Sequence, residues 1–368
     1  MLKTLIIAEA GVNHNGSEEL AFQLVDVAKA SGVDIVKFQT FVTRNLVTQK
    51  VEQAQYQKAN IGKEQLQYQM LEKLELSFES HKAIKNYCTT QGIDYLSTAF
   101  DSQSLAFLVN DLKLNLLKIP SGELTNTPFV LEHALTGCDI ILSTGMANLA
   151  EIEFALSVIT FGYLNQQSDK EPTTEAFKKA YASEEGQKLL SKKVTVLHCT
   201  TEYPAPFDEV NLNAMVQMHN EFNLPIGYSD HTAGVIVPVA AVAKGAVIIE
   251  KHFTLSKDME GPDHKASIEP DELTQMVQDI RCIELALGSS EKQPTVSEIK
   301  NIAVARKSIV ASANIKKGQR LSAENLTILR AGKGISPTKY YDILGSLAIK
   351  DFNEGELIVL ANNKQQLV

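Results

Sequence analysis

The chain has 368 residues, of which 44% are hydrophobic, and a formal net charge of −9. This length and core content predict one large domain with a smaller second unit. The negative charge argues against nucleic acid and anionic membrane surfaces as partners, because both favour basic patches. Four scattered cysteines, no signal-peptide pattern and no apolar run near the ~20 residues that span a bilayer predict a cytoplasmic protein with reduced thiols.

Eight short runs share one form, with apolar residues first and polar residues at the carboxyl end. They cover residues 4–10, 34–40, 94–100, 116–123, 139–145, 194–200, 225–231 and 247–253. Stretches with helical periodicity, such as LAFQLVDVAKASG and FESHKAIKNYCTTQG, fill most of the gaps. Eight strands that alternate with helices predict a (β/α)8 TIM barrel, and their continuous apolar character fits parallel strands buried on both faces.

The remaining segments predict the domain organisation. Residues 163–193 are polar and charge-interleaved, which indicates a solvated helical excursion without a chemical role. We expect a barrel domain over residues 1–288, a linker over 289–304 that contains Pro294, and a small β-rich domain over 305–368. In the last of these, IKKGQRL (315–321) and FNEGELI (352–358) both place a charged glycine turn between apolar residues, which predicts two hairpins.

His231 and His252 end apolar runs on neighbouring predicted strands. One histidine after a strand is more often a hydrogen-bonded wall residue than a ligand, but two at the same barrel mouth favour a shared divalent ion that acts as a Lewis acid. Asp230 and Glu250 are expected to be the hydrogen-bond acceptors that orient the two rings.

Lysines, hydroxyls and carboxylates also end the predicted strands and would face the same mouth. Lys37 and Lys118 could be phosphate-binding groups, a Schiff-base nucleophile or wall residues. Because hydroxyl residues accompany them, an anion-binding site is favoured. Glu9 and Glu123 could accept sugar hydroxyls, transfer protons or pair with those lysines. The accompanying hydroxyl residues are Thr98, Ser121 and Ser143.

Ten motifs follow one another along nearly the whole chain: IIAEAGVNHNG, VKFQT, LSTAF, KIPSGE, ILSTGM, LHCTTEYPAP, GYSDHT, EKHFT, GPDHKAS and ILRAGKGI. In this order they resemble the sialic acid synthase (N-acetylneuraminate synthase) family, whose barrel is followed by an antifreeze-like (SAF) domain. The resemblance implies condensation of phosphoenolpyruvate with the open-chain aldehyde of N-acetylmannosamine. The products would be N-acetylneuraminate and phosphate, formed through a tetrahedral intermediate that breaks a carbon–oxygen bond.

The resemblance also implies roles for individual residues. His231 and His252 match the ligands of a manganese or magnesium ion, and Glu9 and Glu123 match the catalytic carboxylates. Arg330 matches an arginine that reaches the barrel of the other subunit, which implies a domain-exchanged homodimer. Phosphoenolpyruvate would bind to Lys37, Thr98, Lys118, Ser121, Ser143 and Ser229, and the sugar to Thr201, Tyr203, Asp263 and Arg330.

Two positions depart from the family pattern, and they leave alternatives open. Thr201 stands where these synthases commonly have Asn, and Ala331 where they have Pro. A hydroxyl cannot reproduce the paired donor and acceptor of an amide, so a legionaminic acid type synthase using 2,4-diacetamido-2,4,6-trideoxymannose is an alternative. A Schiff-base aldolase using Lys118 and a non-catalytic sugar-binding or ice-binding module are alternatives of other classes.

Overall fold

In a computed structural model, which describes residues 3–54, 57–58, 65–166 and 170–361, the chain forms two compact units, Met1–Gly288 and Ser289–Val368. All eight predicted strands are present, and they pair in sequence order into a closed parallel barrel, which confirms the TIM-barrel prediction. The strands are β1 Leu5–Gly11, β2 Ile35–Thr40, β3 Asp94–Ala99, β4 Leu116–Ile119, β5 Asp139–Ser143, β6 Val194–Cys199, β7 Ile226–Asp230 and β8 Ile248–His252.

Helices surround the barrel and cover its apolar outer face. Local sequence sets their ends: Ser17, Ser77 and Asp101 each cap the amino terminus of a helix through a side-chain oxygen, and Gly32 and Gly92 end helices in the left-handed conformation. Among the described residues, this unit has the helices Glu18–Ser31, Thr43–Leu46, Gln67–Leu74, Phe78–Gln91, Ser102–Asn110, Thr127–Leu135, Leu149–Leu164, Thr174–Tyr181, Glu184–Lys193, Asn213–Phe222, Ile236–Ala243 and Pro270–Leu287.

The polar excursion between β5 and β6 differs from the solvated helix expected there. Its described part forms two short helices, Thr174–Tyr181 and Glu184–Lys193, and residues 167–169 lie outside the described residues. Ser183 caps the second helix, which interrupts the helical run, and Phe177 and Leu190 are buried. The excursion therefore has an apolar face that its interleaved charges obscure in the sequence.

The second unit has a core of its own and few regular strands. Strands β9 (Ser308–Ala311) and β10 (Leu326–Leu329) pair antiparallel, and a short helix spans Tyr340–Ile343. Both predicted glycine turns exist, but the local hairpins are wrong, because Ile315 pairs with Phe352 and Arg320 with Leu347. Ile315 and Phe352 are both buried, so burial of these side chains fixes a non-local pairing.

Part of the predicted linker is helical. Val296–Ala305 forms a helix that starts at a capping box, in which Thr295 bonds the Glu298 amide and Glu298 bonds the Thr295 amide. The S/T-x-x-E pattern and the helical spacing of Val296, Ile299 and Ile302 are both visible in the sequence, but the polar stretch with Pro294 before them favoured a linker. Residues 1, 2 and 362–368 of the predicted domains lie outside the described residues.

Among the described residues, no helix combines the length and apolar character that crossing a membrane requires.

Candidate active site

The interior of the barrel has an apolar layer toward the amino-terminal ends of the strands and a polar layer above it. Side chains alternate between the faces of a strand, so every second residue points inward. The apolar layer consists of Ile7, Ile35, Leu96, Ile141, Leu197 and Ile248. The inward side chains nearer the carboxyl ends line a cavity of about 240 Å³, and they are Glu9, Lys37, Thr98, Lys118, Ser143, Cys199, Ser229 and Glu250.

Two lysines and two glutamates form one buried ionic cluster in this cavity. Lys118 Nζ donates to both carboxylate oxygens of Glu250, at 2.7 and 2.8 Å. Lys37 Nζ lies 2.6 Å from Glu9 Oε2 and 3.6 Å from Glu250 Oε2. The hydroxyl of Ser229 donates to Glu250 Oε1 at 2.9 Å. Glu250 is therefore the centre of the cluster and is held by three neighbours.

The cluster shifts the pKa values of its members in opposite directions. Burial disfavours the charged form of Glu250, but Lys118 and Lys37 outweigh it and hold its pKa below the usual value. Burial likewise raises the pKa of Glu9 against the opposing charge of Lys37, and the Glu250 carboxylate adds to the rise. Burial lowers the pKa of Lys118 despite Glu250, whereas Glu250 and Glu9 overcome burial and raise that of Lys37. Of the two carboxyl groups in this cluster, Glu9 is thus the one whose pKa is raised and Glu250 the one whose pKa is lowered.

Hydroxyl groups extend the cluster along one wall of the cavity. Thr98 Oγ1 accepts a hydrogen bond from Lys37 Nζ at 3.1 Å. Ser121 Oγ accepts one from the amide of Gly145 at 2.9 Å, and Ser143 lines the same wall. Ammonium groups with nearby hydroxyls are the donors that a small phosphorylated anion requires.

The two predicted histidines lie side by side at the cavity mouth. Their ring centroids are 5.5 Å apart, and the ring of Tyr203 lies 4.1 Å from His231 and 5.6 Å from His252. His231 Nδ1 donates to the Thr200 carbonyl oxygen at 2.7 Å and lies 3.7 Å from Cys199 Sγ.

Burial and neighbouring groups shift the two imidazole pKa values differently. Burial, with the nearby charges of His231 and Lys37, lowers the pKa of His252 well below its usual value. For His231, burial acts downward, but Cys199 and the Thr200 carbonyl raise the pKa.

The imidazole pair fits a divalent ion. The bond from His231 Nδ1 to Thr200 puts a proton on Nδ1 and leaves Nε2 as the nitrogen that can bind an ion. His252 Nδ1 is buried without a hydrogen-bond partner among the described residues. Two rings that bind one ion at about 2.1 Å per nitrogen would have centroids roughly 4.5–6 Å apart, which matches the observed spacing. Among the described residues, no group of three or more His, Cys, Asp or Glu could hold an ion, so other ligands would be water or substrate.

The residues expected to contact a sugar lie around the same mouth. Thr201, Tyr203 and Asp263 all line the cavity. Burial raises the pKa of Asp263 to about 6, against the opposing effect of His231. Thr201 Oγ1 is buried without a partner among the described residues and lies only 2.1 Å from where a Cβ on Gly145 would be. Glycine is thus required at position 145 for Thr201 to approach the β5 loop.

Comparison with known proteins gives the family. Residues 24–292 match the NeuB family and residues 306–362 match the SAF domain. The chain belongs to the NeuB family. N,N'-diacetyllegionaminic acid synthase from Campylobacter jejuni is 47% identical over 97% of this chain and 99% of that protein, and the enzyme of the same name from Legionella pneumophila is 44% identical over 96% and 93%. The N-acetylneuraminic acid (sialic acid) synthetase structure from Leptospira borgpetersenii has 29% identity, covers 82% of this chain and 90% of that one, and superposes with a TM-score of 0.66.

The structure of this NeuB protein brings most predicted site residues together but not all of them. Glu123 lies in a short turn after β4 and does not line the cavity; its carboxylate accepts a hydrogen bond from Asn126 at 2.7 Å. Its neighbour Gly122 does line the cavity, and that Glu123 faces the same mouth as Glu9 stays a prediction. Arg330 belongs to the second unit, where it is exposed just after β10.

The expected acceptors for the two rings are wrong in this NeuB protein. Asp230 points to the outer side of the barrel and pairs with Lys251, and Glu250 pairs with Lys118 one layer below His252. Strand alternation is the reason: residues next to each other point to opposite faces, and residues two apart share a face at different depths.

Sequence reasoning missed the central position of Glu250. The two-residue spacing between Glu250 and His252 could have indicated this position, since residues two apart in one strand face the same side. That spacing could have placed its carboxylate in the lysine layer, although not its contact with Lys118, which lies four strands away around the barrel.

Proposed function

We propose that this protein is a metal-dependent nonulosonate synthase that condenses phosphoenolpyruvate with the open-chain aldehyde of 2,4-diacetamido-2,4,6-trideoxymannose and releases phosphate. The observation that carries the reaction class is that two lysines and two imidazoles line one cavity of about 240 Å³. The sugar is proposed because two relatives at 47% and 44% identity are N,N'-diacetyllegionaminic acid synthases.

The ionic cluster would bind the phosphoenolpyruvate. Lys37 and Lys118 contact Glu9 and Glu250, and a proton taken up by Glu9 on binding would leave two ammonium groups facing one carboxylate, that of Glu250. The cluster then has an excess positive charge in a buried site, where it attracts an anion strongly. The hydroxyls of Thr98, Ser121, Ser143 and Ser229 line the same cavity and would complete the binding of phosphate and carboxylate oxygens.

His231 and His252 would hold a manganese or magnesium ion, which would supply Lewis acidity to the aldehyde oxygen of the sugar. Tyr203 and Asp263 line the mouth beside these rings and would orient the sugar chain, and Thr201 would contact its substituents. Correct orientation matters because carbon 3 of phosphoenolpyruvate must reach the aldehyde carbon to form the new carbon–carbon bond.

The protein then has to manage charge and protons at carbon 2 of the former phosphoenolpyruvate. Attack leaves a cationic centre there, which the buried Glu250 carboxylate would stabilise electrostatically. Water adds to this carbon, and the resulting tetrahedral intermediate breaks its carbon–oxygen bond and expels phosphate. Glu9, whose pKa burial raises, would transfer protons during addition and collapse.

Release of phosphate from phosphoenolpyruvate tests the function and the sugar together. We expect release only when a sugar is added, and a kcat/KM at least about tenfold higher for the 2,4-diacetamido-6-deoxy sugar than for N-acetylmannosamine. The reverse preference would favour N-acetylneuraminate synthesis, the second candidate, which the Leptospira sialic acid synthetase relative supports. If neither sugar supports phosphate release, the proposed substrates are wrong.

A Schiff-base aldolase is the rival reaction, because burial lowers the pKa of Lys118 as a nucleophilic amine requires. Against it, Lys118 is bound to both oxygens of Glu250. Borohydride treatment in the presence of pyruvate separates the two reactions. The synthase should give no covalent adduct, and an adduct at Lys118 would support the aldolase.

A further inference from the structure

A second buried ion pair lies directly behind the two imidazoles. Asp230 precedes His231 at the end of β7, and Lys251 precedes His252 near the end of β8. The two residues are register partners in the parallel ladder, and both side chains are fully buried. Because neighbouring residues of a strand point to opposite faces, this pair lies on the outer side of the barrel wall while the imidazoles lie on the inner side.

The contacts of this pair involve the residues on either side of His231 in the chain, Asp230 and Thr232. Lys251 Nζ lies 2.5 Å from Asp230 Oδ2 and also donates to the carbonyl oxygen of Thr232. Asp230 in turn accepts from the Thr232 amide and hydroxyl, both at 3.1 Å, and from the Tyr228 hydroxyl at 2.9 Å. Lys251, which precedes His252, therefore bonds both chain neighbours of His231, namely Asp230 and Thr232.

Backbone hydrogen bonds between β7 and β8 do not extend far enough to fix the position of His231. Strand β7 ends at Asp230, and its last register pair with β8 is that of Asp230 with Lys251. His231 and Thr232 lie beyond that point, and Lys251 of β8 reaches Thr232 there by donating to its carbonyl oxygen. The network thus continues the connection between the two chain segments past the end of the sheet.

Stability is a weak explanation for this pair. Removing two charges from water carries a large desolvation cost, and replacing a buried ion pair by apolar residues is often neutral or stabilising. A geometric role explains the pair better, since a metal site requires its ligands at a fixed separation.

We propose that Asp230, Thr232 and Lys251 are positioning residues that set the separation of His231 and His252 for a divalent ion. None of the three lines the cavity, so they act through the imidazoles and not on the substrate. This inference rests on the metal site of the proposed function.

Manganese affinity of the full chain tests the inference, measured by electron paramagnetic resonance of free Mn²⁺. The double variant Asp230→Asn/Lys251→Met removes both charges and keeps an amide oxygen for the Thr232 amide and the Tyr228 hydroxyl. We expect its dissociation constant for Mn²⁺ to rise about 10–100-fold, as for other residues that orient metal ligands, with a melting temperature near that of the parent. Parent affinity in the folded double variant would overturn the inference.

A matched control lies at the other end of the same barrel. Asp34 and Arg281 form an ion pair, at 2.9 Å, just before β2. The double variant Asp34→Asn/Arg281→Met removes one positive and one negative charge from a partly buried pair near the start of β2, and we expect it to bind Mn²⁺ with the parent's affinity. An equal loss of affinity in this control would show that any loss of an ion pair has the effect, which would also overturn the inference.

A milder variant decides the matter if the double variant does not fold. Thr232→Val removes the hydroxyl that donates to Asp230 and keeps the backbone contacts. Loss of one such bond should weaken Mn²⁺ binding about threefold to tenfold, and unchanged binding would again overturn the proposal. If the parent protein binds no Mn²⁺, the metal site of the proposed function is wrong. If the parent binds Mn²⁺ and the variants bind it equally well, only the positioning role is wrong.

Discussion

His252 and His198 lie near the ends of strands of one barrel, but only His252 lines the cavity. His198 Nε2 bonds the carbonyl oxygen of Val210 at 2.6 Å, and His252 Nδ1 has no partner among the described residues. Two histidines that look alike in the sequence thus differ in role. The difference arises from strand alternation, because residues 198 and 199 of β6 face opposite sides and Cys199 takes the inward position.

We expect His252→Ala to abolish turnover while the protein stays folded. Removing a ligand of the proposed metal ion should lower kcat/KM by more than about 100-fold, since even the partners of such ligands contribute 10–100-fold. The measurement is phosphate release with added Mn²⁺, together with thermal unfolding of each variant. His198→Ala is the control and should keep most of the activity. Parent-level activity in His252→Ala, or in chelator-treated parent protein, would refute the metal role.

His133 should make the barrel sensitive to acid. It is fully buried, its Nδ1 bonds the Phe129 carbonyl oxygen at 2.8 Å, and burial lowers its pKa to about 4. As pH falls through about 6.5, the unfolded chain takes up a proton that the folded protein does not bind until about pH 4. Stability is therefore full above pH 6.5 and decreases by about 1.4 kcal/mol per pH unit between 6.5 and 4.

The replacement His133→Leu removes this proton uptake and should reduce the pH dependence by that slope. Urea unfolding at several pH values between 4.5 and 7 measures it. The control is His219→Leu, a change at an exposed histidine near the carboxyl end of another helix. An unchanged slope in His133→Leu would show that this histidine is not a source of acid instability.

At the scale of elements, close contact between two helices depends on one glycine. Gly162, in the helix Leu149–Leu164, faces Ala134 of the helix Thr127–Leu135, and a Cβ at position 162 would lie 2.4 Å from the Ala134 Cβ. Real side chains do not approach so closely, so the two helices would have to move apart to accept alanine.

We expect Gly162→Ala to destabilise the barrel, although alanine is the better helix former. Overpacking costs about 1–3 kcal/mol, which exceeds the gain of about 1 kcal/mol in helix propensity. The double variant Gly162→Ala/Ala134→Gly restores the space and should recover most of the stability. Glu153→Ala, at an exposed position of the same helix, is the neutral control. Equal free energies of unfolding for the single and double variants would contradict this account.

The elements differ in how visible they are in the sequence. The helix Phe78–Gln91 has a serine cap, an apolar stripe and a terminal glycine, and its predicted bounds match the structure closely. The helix Ile236–Ala243 lies in an almost uninterrupted apolar run with Pro238 inside it, so it shows no periodicity. Proline is tolerated there because residue 238 belongs to the first turn, where its missing amide hydrogen has no helical partner.

At the scale of the whole molecule, the resemblance implies a site shared between two copies of the chain. Arg330 is exposed in the second unit, and the cavity lies in the barrel unit. If Arg330 acts in the partner's barrel, an Arg330→Ala chain and a His252→Ala chain can complement each other. Random re-pairing gives one intact site in each mixed dimer, so about a quarter of parent activity should return.

Mixing two barrel variants provides the control. His252→Ala and Lys37→Gln both damage the same cavity, so no arrangement of their subunits restores an intact site. Activity is measured as phosphate release after the two proteins are unfolded together and refolded. Absence of recovery in the Arg330→Ala mixture, with dimers present, would show that Arg330 does not act across subunits.

The sequence by itself determined the barrel, the strand order and the end of the barrel at which the chemistry lies, because hydrophobic periodicity and the polar ends of the strands are local properties. It also placed Lys37, Lys118, His231 and His252 at one mouth, since parallel strands bring their carboxyl ends together. Only the tertiary structure decided which charges meet. The bond of Lys118 to Glu250 crosses the barrel interior, and Asp230 pairs with Lys251 behind the imidazoles. The distance between side chains on different strands, and the layer of the barrel in which each lies, depend on barrel closure and packing. No short stretch of sequence encodes these.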